Sequence, residues 1–267
     1  MSDVPPERLI LQHRVSRRSF AAGAASSLAA VVLVYRLPGL LGPRTETLDT
    51  AEHQHDWVFV VDLRRCIGCG RCVVACKQEN DVPPEPEYTR TWVERYVVTA
   101  DEQVLVDSPD AGMKGFAAPE YNERYEGLDI ARSFYVPKLC NQCEKPPCVQ
   151  VCPVSATYKT PEGVVLVNRD RCIGCGYCIQ ACPYGARYLD PRERVADKCT
   201  WCYHRITQGR EPACVDACPV QARLFGSLDD PDSSVSRALA SLKYDVLKPE
   251  MGTRPQVRYI GMQEGVR

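Results

Sequence analysis

Sixteen cysteines constrain this 267-residue chain more than any other feature, because they fall into four groups of four with none left over. The first group is Cys66, Cys69, Cys72 and Cys76, and the second is Cys140, Cys143, Cys148 and Cys152. The third is Cys172, Cys175, Cys178 and Cys182, and the fourth is Cys199, Cys202, Cys214 and Cys218. Groups one and three share the spacing C-x2-C-x2-C-x3-C; group two widens the middle gap to four residues and group four to eleven. Groups two, three and four end in Cys-Pro, at Pro153, Pro183 and Pro219, whereas group one has Lys77 in that place. Cysteines two residues apart seldom have the geometry to form a disulfide, and close neighbours would scramble. Zinc also takes four thiolates, but usually as two C-x2-C pairs and often with His.

The spacing suits a cubane [4Fe–4S] cluster instead. Three cysteines in one tight loop reach three irons of a cube. Gly68, Gly70, Gly174 and Gly176 let the backbone wrap the cluster and turn its N–H groups toward sulfur. The fourth cysteine is expected to begin a helix leading away from the loop; in two-cluster ferredoxins it ligates the other cluster. All sixteen cysteines are thus candidate ligands, for four [4Fe–4S] clusters. His53, His55 and His204 read as linker or surface residues, because every cluster already has four thiolates. Lys198, Arg65 and Arg171 stand beside cysteines; they read as surface charge, with tuning of cluster potential or contact with a partner as the sharper alternative.

The chain is an internal repeat. Arg65-Cys66-Ile67-Gly68-Cys69-Gly70 returns as Arg171-Cys172-Ile173-Gly174-Cys175-Gly176. β-rich runs flank the cysteine groups at Trp57–Val61, Phe134–Val136, Val164–Val167, Ala186–Leu189 and Ala222–Phe225. A hairpin is expected at Tyr158–Lys159 and Val164–Val165 around Thr160-Pro161-Glu162-Gly163. The repeating unit is strand, cysteine loop, short helix, strand, which gives an α+β fold of two two-cluster, ferredoxin-like domains. Spacing alone leaves open which groups pair. The longest gap, after Cys76, predicts a β-hairpin of Thr91–Thr99 and Val104–Val106, read as a surface insertion or, alternatively, a partner-docking surface. Asp232 or Ser233 is expected to cap a helix running to about Lys243, with Val235, Leu239 and Leu242 on one face.

Composition narrows the function. Lys and Arg number 33 against 34 Asp and Glu, a net charge of -1, which argues against bulk electrostatic binding of nucleic acid. Residues 1–18 carry Arg8, Arg14, Arg17 and Arg18, and an apolar run from Ala21 to Val34 follows. That order is the order of a signal peptide, and the run is short for a membrane span. Ser16-Arg17-Arg18-Ser19-Phe20 looks like a twin-arginine export signal, which would carry a protein already folded around its cofactors to the periplasmic face of the membrane. No nucleophile–base arrangement stands out, so no catalytic site is expected.

The four groups, the Cys-Pro endings and the tail Lys248-Pro249-Glu250-Met251-Gly252-Thr253-Arg254-Pro255-Gln256-Val257 resemble the electron-transfer subunit of the dimethyl-sulfoxide-reductase family, over roughly residues 56–261. The resemblance implies nested ligation: Cys66, Cys69, Cys72 with Cys218; Cys199, Cys202, Cys214 with Cys76; Cys140, Cys143, Cys148 with Cys182; and Cys172, Cys175, Cys178 with Cys152. It divides the chain into a signal and linker (1–50), one ferredoxin-like domain (51–80 with 190–267), an insertion (81–135) and a second ferredoxin-like domain (136–189). Some relatives replace a group-three cysteine and carry an altered cluster; Cys175 is intact, so four cubanes are expected. Other relatives add a C-terminal membrane helix, and its lack here favours the polysulfide and nitrite reductase type. The implied partners are a molybdopterin catalytic subunit and a polytopic, quinone-reactive membrane subunit. The alternatives are the redox subunit of another membrane complex, a hydrogenase or sulfur-cycle assembly, and a zinc-stabilised interaction module.

Overall fold

The computed structural model describes residues 56–266. The leader expected in residues 1–50, with His53 and His55, lies outside the described residues. A four-stranded sheet brings the two ends of the described chain together. Its order is β10 (Tyr244–Asp245), β11 (Val257–Ile260), β1 (Trp57–Asp62) and β9 (Arg223–Ser227). Strand β1 pairs parallel with β11 and antiparallel with β9. Side chains alternate across a strand, so β1 serves two interiors. Phe59 and Val61 face the main core, while Val58 and Val60 meet Val235, Leu239 and Leu242. Those three sit on or just after a helix, Ser234–Ser241, capped by Ser233 Oγ, which accepts from the Ser236 N–H at 3.1 Å.

The insertion is not a surface loop. Strand β2 (Thr91–Thr99) turns into β3 (Val104–Asp107) as expected, but pairs along its whole length with β4 (Ile130–Leu139). Val93, Tyr96, Val98, Phe116 and Phe134 are buried in the same core as Phe59 and Trp201. The turn after Pro109 presses its backbone onto the first cysteine loop: a Cβ on Gly70 would lie 2.2 Å from the Gly112 carbonyl oxygen. Two hairpins complete the fold, β5 (Thr157–Lys159) with β6 (Val165–Val167), and β7 (Arg187–Leu189) with β8 (Ala196–Lys198). The domain boundary expected at residue 189 falls inside the second hairpin.

The helices begin one cysteine earlier than expected. The third cysteine of each group lies inside a helix: α1 (Arg71–Asn80), α2 (Pro147–Gln150), α3 (Tyr177–Gln180) and α5 (Ala213–Asp216), with α4 (Tyr203–Ile206) lying between α3 and α5 and the Ser234–Ser241 helix following as α6. In groups two to four the helix stops before the fourth cysteine, because a residue preceding proline is pushed out of the helical region. Lys77 removes that constraint in group one, so α1 continues through Cys76 to Asn80. The freed helix is anchored by Lys77 itself, whose Nζ donates to the carbonyls of Pro83, Glu85 and Tyr88 at 2.5, 2.9 and 2.6 Å. Among the described residues no helix is long and apolar enough to cross a membrane.

Candidate iron–sulfur centres

The fold gathers the cysteines from across the chain. Cys66, Cys69 and Cys72 line one small cavity together with Cys218. Cys76 lines a second with Cys199, Cys202 and Cys214. Cys143 and Cys148 lie in the electrostatic field of Cys140 and Cys182. Cys172 and Cys178 share a buried cluster with Val149 and Val165, and α3, which carries Cys178, packs on α2, which Cys152 follows. No disulfide forms; all sixteen thiols are free.

The sets lie in series. Cys72 of the first is close enough to Cys214 of the second to raise its pKa. Cys199 of the second is coupled in the same way to Cys140 of the third. Arg187 lies in the field of Cys148 and Cys140 of the third and of Cys178 of the fourth. Only the outer sets carry an exposed thiol, Cys69 at one end and Cys175 at the other. Both stand beside exposed apolar side chains: Ile67 (56 %) next to Cys69, and Ile173 (64 %) and Tyr177 (58 %) around Cys175.

The residues fit a net-negative, sulfur-rich group. Among the described residues no three Cys, His, Asp or Glu side chains converge tightly enough to hold a single ion, as a zinc with bonds of about 2.3 Å would require. The thiols of the first two sets rim small cavities instead. Two buried donors around those cavities lack a partner, Trp201 Nε1 beside the second set and Arg223 Nη1 beside the first. Such orphans are rare unless something fills the space. Burial pushes the Cys66 and Cys214 thiols up to about 11 and Cys143 and Cys199 up to about 12. These thiols stay protonated at neutral pH unless a metal displaces the proton.

Donors toward sulfur repeat with the sequence. The N–H of the residue four after the last cysteine reaches its Sγ: Ala156 to Cys152 and Ala222 to Cys218, each at 3.2 Å. Cys152 shows the effect: burial alone would raise its pKa, but the Thr157, Val154 and Ala156 N–H groups outweigh it and hold it below the usual thiol value. Asn80, on the extra turn of α1, points Nδ2 at Cys76 and Cys202 Sγ at 3.7 and 3.6 Å. His204 binds Glu79 at 2.7 Å, on the surface as expected. Arg65 and Arg171 are exposed. Lys198 is not surface charge: it is 1 % exposed, because strand β8 is buried along its whole length. Sequence reading missed Arg187 and Arg223, which lack the flag of a neighbouring cysteine.

Residues 65–156 and 131–228 each match a 4Fe–4S dicluster domain family. A tetrathionate reductase subunit of Salmonella typhimurium is 40% identical over 213 residues, which cover 79% of this chain and 74% of the relative. The chain belongs to the family of electron-transferring iron–sulfur subunits of the dimethyl-sulfoxide-reductase type. A polysulfide reductase chain of Wolinella succinogenes is 37% identical over 208 residues, covering 78% of this subunit and 95% of the relative. An Hdr-like menaquinol oxidoreductase iron-sulfur subunit of Archaeoglobus fulgidus is 33% identical over 290 residues, covering 92% and 97%. Two dicluster domains and sixteen cysteines give four [4Fe–4S] clusters. The subunit transfers electrons and has no catalytic site of its own.

Proposed function

We propose that this subunit relays electrons between a quinone-reactive membrane subunit and a molybdopterin catalytic subunit. The carrying observation is the serial order of the four thiol sets, with exposed thiols only at its two ends. In this reading Cys66, Cys69, Cys72 and Cys218 hold the first cluster, and Cys76, Cys199, Cys202 and Cys214 the second. Cys140, Cys143, Cys148 and Cys182 hold the third, and Cys152, Cys172, Cys175 and Cys178 the fourth. Each cluster, when bound, takes up and returns one electron. The protein's part is to fix spacing, donate N–H groups to sulfur and exclude water from the middle of the row. Ile67 at one end and Ile173 with Tyr177 at the other form the apolar contacts that bring a partner's redox centre near.

Export belongs to the same proposal. The Arg17-Arg18 leader directs the folded, cluster-loaded chain to the periplasmic face of the cytoplasmic membrane, where it serves anaerobic respiration. A second reading draws on the menaquinol oxidoreductase relative: the same wire working in a membrane complex without molybdenum. Purification of the tagged subunit from membranes under gentle detergent, with metal analysis and mass spectrometry, tests both. The first reading expects molybdenum and two further subunits, one of them polytopic. A complex with a polytopic subunit and no molybdenum would establish the second, and a chain recovered alone from the cytoplasm would contradict both.

A further inference from the structure

Six arginine and lysine side chains are buried among the described residues: Arg95, Lys138, Arg187, Lys198, Arg205 and Arg223. Three have carboxylate partners: Arg95 with Asp107, Lys138 with Glu94, and Arg205 with Glu79 and Asp216. Arg187, Lys198 and Arg223 have none. An uncompensated buried charge is costly, and native proteins pair such charges. The three that break the rule are not scattered: each stands where two consecutive thiol sets meet.

Arg223 lines the first cavity beside Cys66, Cys69, Cys72 and Cys218. Its Nη2 donates to Thr91 Oγ1 at 2.8 Å, and its guanidinium lies 5.9 Å from the Phe59 ring. Thr91 and Phe59 both line the second cavity. Lys198 precedes Cys199 of the second set and donates to the Cys199 carbonyl at 2.7 Å and to the Val165 carbonyl. Gln142, inside the loop of the third set, closes the same ring, donating to the Cys199 carbonyl and accepting the Val165 N–H. Arg187 donates from Nη2 to Cys148 Sγ of the third set at 3.0 Å and from Nη1 to Thr157 Oγ1 at 3.3 Å. The Thr157 N–H in turn donates to Cys152 Sγ.

We propose that Arg223, Lys198 and Arg187 are potential-setting residues, one for each junction of the wire. The inference rests on the four-cluster reading above. Arg223 and Arg187 are fixed positive charges in a low-dielectric interior; burial lowers the pKa of Lys198, and the net-negative clusters it faces favour its charged form. Each cation is shared by two clusters, which replace its missing carboxylate. A cation favours the reduced, more negative form, so it raises the potential of both neighbours. It also screens the repulsion felt by an electron arriving beside an occupied cluster. In each transfer one electron leaves one cluster and enters the next; no bond is made or broken and no proton moves.

The test is an EPR-monitored redox titration of the full-length subunit, purified anaerobically, with iron counted on every sample. At each junction the cation is replaced by methionine and, separately, by the other basic residue: Arg223→Met and Arg223→Lys, Arg187→Met and Arg187→Lys, Lys198→Met and Lys198→Arg. The neutral variants are expected to hold full iron and to make reduction of two of the four clusters at least about tenfold less favourable, a drop of about 59 mV for a one-electron couple. The other two clusters stay in place, and the basic variants return close to the parent. Full iron with four unchanged potentials in a neutral variant would overturn the proposal, as would an equal shift of all four. Where methionine costs iron, Arg187→Gln or Arg223→Gln is read in the same way. If both neutral variants lose iron, retention in the basic variant supports the charge and loss there too refutes it. Parent protein lacking four clusters would mean that the four-cluster reading had failed, a result visible before any variant is compared.

Discussion

Alanine at Gly70 and at Gly176 separates the two cysteine loops that look alike in sequence. Both glycines end a Cys-Ile-Gly-Cys-Gly run and both hold a left-handed backbone, with φ of 73° and 76°. For any residue with a Cβ that conformation costs about 1–2 kcal/mol. A Cβ at Gly176 would meet nothing within 4 Å. A Cβ at Gly70 would lie 2.2 Å from the Gly112 oxygen and 2.5 Å from the Met113 oxygen. Both are backbone atoms that cannot swing aside, so the insertion must lift, at a further cost of about 1–3 kcal/mol by analogy with overpacked cores. Gly176→Ala should therefore cost about 1–2 kcal/mol and Gly70→Ala about 2–5 kcal/mol. At about 2–4 °C per kcal/mol for a fold of this size, the second variant should melt clearly lower. The assay is anaerobic thermal loss of cluster absorbance, scanned at one rate for parent and both variants. Equal losses would refute the claim that the insertion is packed on the first loop.

Other outcomes follow from single side chains. Asp190 is 1 % exposed and accepts from Arg192 and Arg169; the Arg192 hydrogen bond holds its carboxyl at about 2. A depressed pKa stabilises the fold above the ordinary carboxylate value and ceases to do so as pH falls from about 4 toward 2. Asp190→Asn should thus cost about 1–2 kcal/mol, allowing for half-exposed arginines, and the same at pH 5 as at pH 7 by denaturant titration; a difference already shrinking at pH 5 would contradict the pairing. Lys77→Pro should end α1 early and cost about 3 kcal/mol or more, while Lys77→Met should leave the helix and expose residues 83–88 to limited proteolysis. Cys175→Ser should remove or weaken one cluster of four, read as a fall in iron content with three EPR signals retained. Iron removal with a chelator should expose the buried thiols and abolish cooperative unfolding, because the cavities rimmed by Cys76 and Cys218 then have nothing to pack against.

The cysteine pattern announced the chemistry because cubane loops are local: three ligands close together in the chain need only glycines and short spacers. The strands beside the loops were readable for the same reason, as was the Ser233 cap. Four features were not readable. Helix ends depended on how Cys-Pro acts on the residue before it, and the Lys77 exception shows that rule at work. The parallel pairing of β1 with β11 joins Phe59 to Val257, near opposite ends of the described residues, and nothing local encodes it. The insertion looked like a loop because its burial comes from β4, whose first residues are exposed. Arg187 and Arg223 escaped notice because each sits at the start of a short strand, where an arginine is ordinarily a surface residue; only the fold turns them inward.

Iron, acid-labile sulfide and zinc per polypeptide, measured on anaerobically purified protein together with an EPR spectrum of the dithionite-reduced state, test the central claim most directly. Four cubanes require about sixteen iron and about sixteen sulfide, with little zinc and signals from interacting clusters. Zinc near four per polypeptide, with no sulfide and no EPR signal, would contradict an electron wire.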